Sequence, residues 1–246
     1  MKKIRVLPVV GYSDEAQKVW RDLQNLGVIE DRKNPEKLLG LTGDGGVLGI
    51  ERDYCDMEVP IVAFAFGTVN FLHTHNFSSA KDIFDILQRD EWEKCQVFGL
   101  WAEIRTKDGI ERCVAFNEIY MKIVDLMGYA RLKVFVKEFP SGLLVEGDGV
   151  MVATPQGSTA YSRKCGGHII PLDSKDLNLT GIGAGNVNSV IRRQEIVIES
   201  FGDEIGLVCD NKPFYGVESV KITPSNRPVN LWFAPGEHFE QRRYNL

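Results

Sequence analysis

Lys37-Leu38-Leu39-Gly40-Leu41-Thr42-Gly43-Asp44-Gly45-Gly46-Val47-Leu48-Gly49 is the stretch that decides the fold class. Its first half reads as an apolar strand, its glycines as a turn and its end as the start of an apolar helix. A strand that runs through glycines into a helix forms a phosphate cradle. Backbone N–H groups and the positive helix end face an anion there, and no side chain blocks its approach. Gly43, Gly45 and Gly46 are the candidate cradle residues. Asp44 is the exception, because a carboxylate repels phosphate unless it serves a metal or takes a proton from an attacking hydroxyl. Asp44 is therefore the candidate catalytic residue. A type I′ Asp-Gly turn between two strands would explain Asp44-Gly45 but not Gly43, Gly46 and Gly49.

The flanking sequence alternates in the same way. Ile4 to Val10 reads as a strand, and Asp14 to Leu26 as an amphipathic helix with Ala16, Val19, Trp20 and Leu23 on one face. Val59 to Phe66 reads as another strand. Ser79 to Leu87 reads as a helix capped by Ser78 or Ser79, with Ile83, Phe84, Ile86 and Leu87 as its apolar face. This order predicts a parallel α/β domain over residues 1–93. From Lys94 the pattern becomes strand after strand: Gln96 to Arg105, Glu111 to Val124, Tyr129 to Lys137, Leu143 to Ala153, Glu195 to Ser200, Ile205 to Cys209 and Ser219 to Thr223. Residues 94–228 are thus expected to form a mainly-β second domain.

Within that domain Gly147-Asp148-Gly149-Val150-Met151-Val152-Ala153-Thr154-Pro155-Gln156-Gly157-Ser158-Thr159-Ala160-Tyr161-Ser162 joins a buried strand to a hydroxyl-rich turn. Pro155 ends the strand, since proline lacks a ladder donor. Ser158, Thr159, Tyr161 and Ser162 sit beside small residues that let a flat polar ligand approach the backbone, and such a set suits a nucleotide. A turn that merely caps the next helix would need one hydroxyl.

Together these residues resemble the NAD kinases, which phosphorylate NAD to NADP, and the resemblance spans most of the chain. The family pattern GGDGT with a following apolar pair is similar to Thr42-Gly43-Asp44-Gly45-Gly46-Val47-Leu48. Its segment ending in Gly-Phe-Leu is similar to Phe66-Gly67-Thr68-Val69-Asn70-Phe71-Leu72, and its Asn-Glu pair to Ala115-Phe116-Asn117-Glu118. Its TPTGSTAY element, with a preceding Asp-Gly and a following Gly-Gly, is matched by Asp148 through Tyr161 and Gly166-Gly167. The chain departs from the family at Thr42 (usually glycine), Gly46 (usually threonine), Asn70 (glycine), Gln156 (threonine) and His168 (proline). Leu179 to Asn186 also lacks a proline-histidine pattern common in the family.

The resemblance implies a two-domain NAD kinase-like fold in which the last segment, residues 229–246, returns to the first domain. It implies phosphoryl transfer from ATP or polyphosphate to the 2′-hydroxyl of the adenosine ribose of NAD, with Mg²⁺ or another divalent cation. Asp44 would accept or orient the hydroxyl proton while helping to position the metal. Phe71, Asn117 and Glu118 would hold the dinucleotide, and Asp148 would accept from the nicotinamide carboxamide. Ser158, Thr159, Ala160, Tyr161 and Ser162 would line one end of the ligand, in the family often across a subunit interface, which implies a homodimer or homotetramer.

Other classes fit less well. A lipid kinase of the same superfamily would share the Asp44 loop but would not be expected to carry Thr154 to Tyr161. A catalytically impaired NAD(P)-binding sensor would keep Asn117, Glu118 and the hydroxyl turn while tolerating Thr42 and Gly46. A structural protein would not need both glycine loops. The net charge of -5 offers no positive field for nucleic acid, although Arg163-Lys164 and Arg192-Arg193 could form a local basic patch. The five cysteines have neither CxxC spacing nor an even count, which argues against a disulfide scaffold. His73 and His75 read as loop residues rather than metal ligands, since no further ligands stand near them in sequence. With no leader or membrane-length apolar run, a cytoplasmic protein is expected.

Overall fold

A computed structural model describes residues 3–54, 56–68, 70–125, 127–185, 187–201, 204–237 and 239–244, without the side chains of Phe239 and Arg242. Among the residues named above, Cys55, Val69 and Asn186 lie outside this set. The chain divides into two compact units, Met1–Val97 with Val229–Leu246, and Phe98–Pro228.

The first unit opens with β1 (Ile4–Val10), α1 (Asp14–Leu26), β2 (Val28–Glu30), β3 (Lys37–Thr42), α2 (Asp44–Tyr54), β4 (Ile61–Ala65) and α3 (Ala80–Leu87). Ser13 caps α1 by accepting from the Ala16 amide, and Gly27 closes it at φ 108°, a left-handed geometry that suits glycine. Ser79 caps α3 by accepting from Asp82 N. β1 pairs in parallel with β2 and β3, and β3 with β4. Parallel strands are covered on both faces, and β3 and β4 accordingly bury nearly every residue. Val6, Leu39, Leu41, Val62 and Phe64 pack against Leu23, Ile83 and Phe84 from the helices. Each such side chain contributes about 1.5–3 kcal/mol on burial. The consequence for function is positional, because open α/β sheets bind ligands beyond the carboxyl ends of their strands, and β3 ends at Thr42 against α2.

The second unit is built from strands. They are β5 (Glu93–Thr106), β6 (Gly109–Ala115), β7 (Glu118–Ile123), β8 (Ala130–Val136), β9 (Phe139–Gly147) and β10 (Gly149–Ala153). A 3₁₀ turn (Gln156–Thr159) and α4 (Tyr161–Lys164) follow, then β11 (Leu177–Ile182), β12 (Asn188–Ile191), β13 (Ile196–Ser200), β14 (Ile205–Cys209), β15 (Lys212–Phe214) and β16 (Val217–Phe233). An antiparallel sheet runs β12-β11-β10-β7-β14-β15. Its inner side chains, among them Ile119, Met121, Val150, Val152 and Leu207, share one core with Leu100, Leu132, Val134, Ile198 and Ile222 from the other strands. The last residues of β16 belong to the first unit, where Leu231 pairs in parallel with Ile61. α5 (Phe239–Tyr244) also belongs there, with Arg243 almost fully buried and its Nη1 3.7 Å from Glu240 Oε1.

The expected fold class stands: a parallel α/β unit and a mostly antiparallel β unit. Several elements differ from the sequence reading. The single strand expected over Glu111 to Val124 is broken at Phe116-Asn117, and that over Leu143 to Ala153 is broken at Asp148, whose amide donates to Ile182 O (2.8 Å). β2, β11, β12 and β15 were not anticipated. The cysteines form no scaffold among the described residues, but one bond not foreseen from spacing joins Cys113 of β6 to Cys209 of β14 across 96 residues of sequence. Spacing could not show it, because β-sheet packing rather than sequence proximity brings the two strands together. Cys95 and Cys165 take no part in a disulfide.

Candidate functional site

Each unit gathers its own cluster of the residues singled out by sequence. In the first unit α2 begins at Asp44, immediately beyond β3. Asp44 Oδ2 accepts from the Phe71 amide and Oδ1 from the Leu72 amide, both at 3.1 Å. His73, fully buried, brings Nδ1 to 3.3 Å from Asp44 Oδ1. Burial alone would push this carboxyl up, but the His73 contact and the two amides outweigh it and hold Asp44 below the usual carboxylate range. An ionised Asp44 is thus fixed by three partners, one of which, His73, the sequence reading had assigned to a loop. His73 does lie in a loop, as its sequence suggested, and its contact with Asp44 is one that the spacing of His73 and His75 could not show.

The two glycine loops meet backbone to backbone. A β-carbon on Gly67 would lie 2.7 Å from Gly43 Cα and 2.8 Å from Asn70 Oδ1, so this contact requires glycine. Asn70 holds the loop by accepting from Gly67 N (2.9 Å) and donating to Gly67 O (2.5 Å). Its φ of 59° explains the departure at this position, since asparagine tolerates the left-handed conformation better than most residues. Gly45 faces open space, with nothing within 4 Å of where a β-carbon would stand. His75 Nε2 lies 2.7 Å from Asn70 O and also supports the loop.

In the second unit Asn117 and Glu118 sit at the start of β7, beside the end of β10. Asp210 organises them, its carboxylate accepting from the amides of Phe116 (2.8 Å), Asn117 (2.9 Å) and Glu118 (3.2 Å). The sequence reading missed Asp210. Its signal was an Asp-Asn pair between two short strands, where Asp210 adopts φ 52°. Thr154 Oγ1 donates towards Phe116 O (2.5 Å) and Asn117 O (3.0 Å), and receives the Gly157 amide. Gly157 lies so close that a β-carbon there would come within 2.7 Å of Asn117 Cα and nearer still to its carbonyl. The glycine in this turn is therefore fixed by close approach to Asn117.

Glu118 is buried, and burial followed by the charge of Asp210 pushes its carboxyl up to about 8. Its Oε2 has no hydrogen-bond partner among the described residues. At neutral pH the group is a protonated acid, able to donate as well as accept.

The hydroxyl turn is partly turned inward. Ser158 Oγ donates to Pro155 O (2.6 Å) and accepts from Ile170 N (3.1 Å), and Ser162 Oγ lies 3.1 Å from Thr180 Oγ1. Both serines are fully buried. Thr159 Oγ1 reaches Gln156 O (3.3 Å), and the buried Gln156 donates to Phe98 O (2.8 Å). Thr159, Ala160 and Tyr161 are half-buried. The Tyr161 ring packs edge-on against Tyr120 with centroids 5.3 Å apart. Burial and the neighbouring Cys165 push its phenol up to about 12, so it remains a donor. Asp148 is exposed at the opposite end of β10, a strand length of roughly 17 Å from the turn. Of the two pairs that could form a basic patch, Arg192-Arg193 is engaged locally: Arg193 stacks on Phe98 at 4.4 Å and reaches Asn226, and Arg192 pairs with Asp176 at 3.6 Å. Among the described residues no three His, Cys, Asp or Glu side chains cluster as a metal site, and no helix is long and apolar enough to cross a membrane.

No protein-family model matches the chain. Curated relatives do match. The NAD kinase of Hyphomonas neptunium is 27% identical over 252 residues, covering 98% of this chain and 97% of the relative. That of Xanthomonas oryzae pv. oryzae is 27% identical over 226 residues, covering 83% and 82%. Among solved structures, yeast NADH kinase complexed with NADH superposes with a TM-score of 0.83 at 18% identity, covering 99% of this chain and 86% of that one. An NAD kinase from Archaeoglobus fulgidus in complex with ATP superposes with a TM-score of 0.74 at 19% identity, covering 99% and 97%.

Proposed function

We propose that the chain is an NAD kinase in which ATP or polyphosphate donates a phosphoryl group to the 2′-hydroxyl of the adenosine ribose of NAD. The observation that carries this reading is the ionised Asp44 fixed at the open amino end of α2, with Gly45 facing free space. Phosphoryl transfer depends mainly on positioning and charge stabilisation. The α2 amides and helix end would hold the donor phosphates. Asp44, held as a weak base by His73 and two amides, would orient the attacking hydroxyl.

In the second unit Asn117 and the protonated Glu118 would hold the sugars and base, with Thr159, Ala160 and Tyr161 against the flat end of the ligand. Asp148 would accept from the carboxamide. Phe71 would contribute ring surface beside Asp44. Ser158 and Ser162, whose hydroxyls are engaged internally, would contribute through the shape of the turn. A divalent cation would screen charge on the donor's phosphate oxygens. Such a cation is usually held by one or two carboxylates together with the substrate's phosphates. A cytoplasmic homodimer or homotetramer completes the reading.

The test is incubation of the purified protein with NAD, Mg²⁺ and either ATP or polyphosphate, followed by assay for NADP. NADP formed with one donor identifies that donor. Measurable NAD binding with no NADP from either would replace this reading with an NAD(P)-binding sensor.

A further inference from the structure

Cys113 and Cys209 stand on different sheets of the second unit. β6 pairs with β5 in one sheet and β14 with β7 and β15 in the other, and the bond spans the core between them with the Cα atoms 6.8 Å apart. Its place along the two strands matters more than its span. Cys113 is followed by Val114-Ala115 and then by Phe116, Asn117 and Glu118, whose amides all donate to the Asp210 carboxylate. Cys209 directly precedes Asp210, whose own amide donates to Glu118 O (3.0 Å). The disulfide and the carboxylate therefore join the same two stretches of chain, residues 113–118 and 209–210. One tie is covalent. The other consists of hydrogen bonds that must re-form whenever the turn opens, and a tether so close keeps the carboxylate at high effective concentration beside its amides. Cys209 is buried, whereas Cys113 is half-buried on β6, which among the described residues pairs with β5 alone, so a thiol can reach the Cys113 sulfur.

We propose that the Cys113–Cys209 bond is a redox switch of dinucleotide binding: closed, it holds Asp210 against the Asn117 turn; opened by a dithiol reductant, it lets the turn loosen and weakens NAD. A thiolate of the reductant attacks the Cys113 sulfur, and Cys209 leaves as a thiolate. The reductant's second thiol then displaces Cys113 from the mixed disulfide. Two electrons and the two thiol protons pass to the protein, so its disulfide becomes two thiols while the dithiol becomes a disulfide. Leu100, Ile119, Met121 and Leu207 pack the surrounding core through their own side chains, so opening the bond leaves the core in place and acts on the turn. In the cytoplasm proposed for this enzyme thiols are kept reduced, and a bond that forms there is usually transient and redox-sensing. The inference rests on the reading that places the dinucleotide at Asn117 and Glu118.

The experiment compares the wild type in its oxidised form and after reduction with dithiothreitol, with its thiols counted in each. NAD and ATP affinity are measured by calorimetry, each without the other so that no turnover occurs, together with thermal unfolding. Reduction is expected to add two thiols and to weaken NAD about tenfold, with ATP affinity within a few-fold, and reoxidation should restore the first value. Cys113→Ser should show the reduced affinity under both treatments. If that variant does not fold, the reduced wild type decides alone. An unchanged thiol count, or equal NAD affinity in the two forms, would overturn the proposal. A folded Cys113→Ser that still responds to the reductant would place the effect at another cysteine, such as Cys165 beside Tyr161, and overturn it too. NAD and ATP affinity lost together, with the folded baseline gone at the assay temperature, would mean general unfolding and overturn the switch equally. No NAD binding in either form would remove the dinucleotide from Asn117 and Glu118 and the switch with it. NAD binding without NADP formation would remove the kinase reading alone, because these readouts need no turnover.

Discussion

His73 Nδ1 lies 3.3 Å from Asp44 Oδ1, behind a carboxylate that already receives two backbone amides. The fully buried imidazole is one of three groups that fix that carboxylate. Asp44→Asn, which keeps size but removes charge, is expected to lower kcat by roughly 10²-fold or more with NAD affinity within a few-fold. His73→Asn removes one of the contacts that keep Asp44 low. Asp44 should then protonate at higher pH, and the acid limb of the kcat profile should move upward relative to the wild type. An unmoved acid limb would dissociate His73 from the ionisation that governs turnover.

Gly157 supports Asn117 by contact alone. Gly157→Ala places a methyl into the Asn117 carbonyl, and overpacking of this kind costs about 1–3 kcal/mol. The expected result is a lower Tm together with weaker NAD binding, because the displaced backbone carries Asn117 and Glu118. Thermal unfolding and calorimetry on one preparation separate the outcomes, and a variant with unchanged affinity would detach the turn from the dinucleotide.

The Cys113–Cys209 bond closes a long loop, and cross-links of that length are worth up to about 4.7 kcal/mol through the unfolded chain. Cys209 immediately precedes Asp210, whose carboxylate holds the Asn117 turn. Cys113→Ser is expected to reduce the denaturation midpoint, and a reductant should bring the wild type to the same value. Equal midpoints for the untreated wild type and the variant would show that the bond adds no stability.

The local part of this arrangement was legible in the sequence. The alternation around Lys37 to Gly49 specified strand, turn and helix because period and glycine placement act over a few residues, and Ser13, Ser79 and Gly27 mark helix ends by the same short-range chemistry. What stayed hidden depends on strands that meet across the chain. Asp210 reaches the Asn117 amides over more than 90 residues of sequence, and Cys113 reaches Cys209 over 96. The four hydroxyls after Pro155 were legible as a cluster, yet not which of them point inward. Ser158 and Ser162 turn to Ile170, in the segment before β11, and to Thr180 within it, contacts set by how the chain after the turn folds back.

Glu118 gives the fold a pH dependence whose sign follows from its raised carboxyl. In the folded chain the group keeps its proton up to about 8, whereas unfolded it releases the proton near the ordinary value of 4.5. Between these limits the folded state binds more protons, so stability is full below the lower value and is lost progressively as pH rises towards 8. Each unit of difference is worth about 1.4 kcal/mol, and structural relaxation will return part of the sum. Glu118→Gln holds the site neutral at every pH, so its unfolding free energy should decline less than that of the wild type as pH rises from 4.5 towards 8. Urea titrations at several pH values measure both slopes. Parallel slopes would mean that Glu118 ionises normally and that its unpartnered oxygen is solvated, and the role of a neutral acid donating to the dinucleotide would go with it.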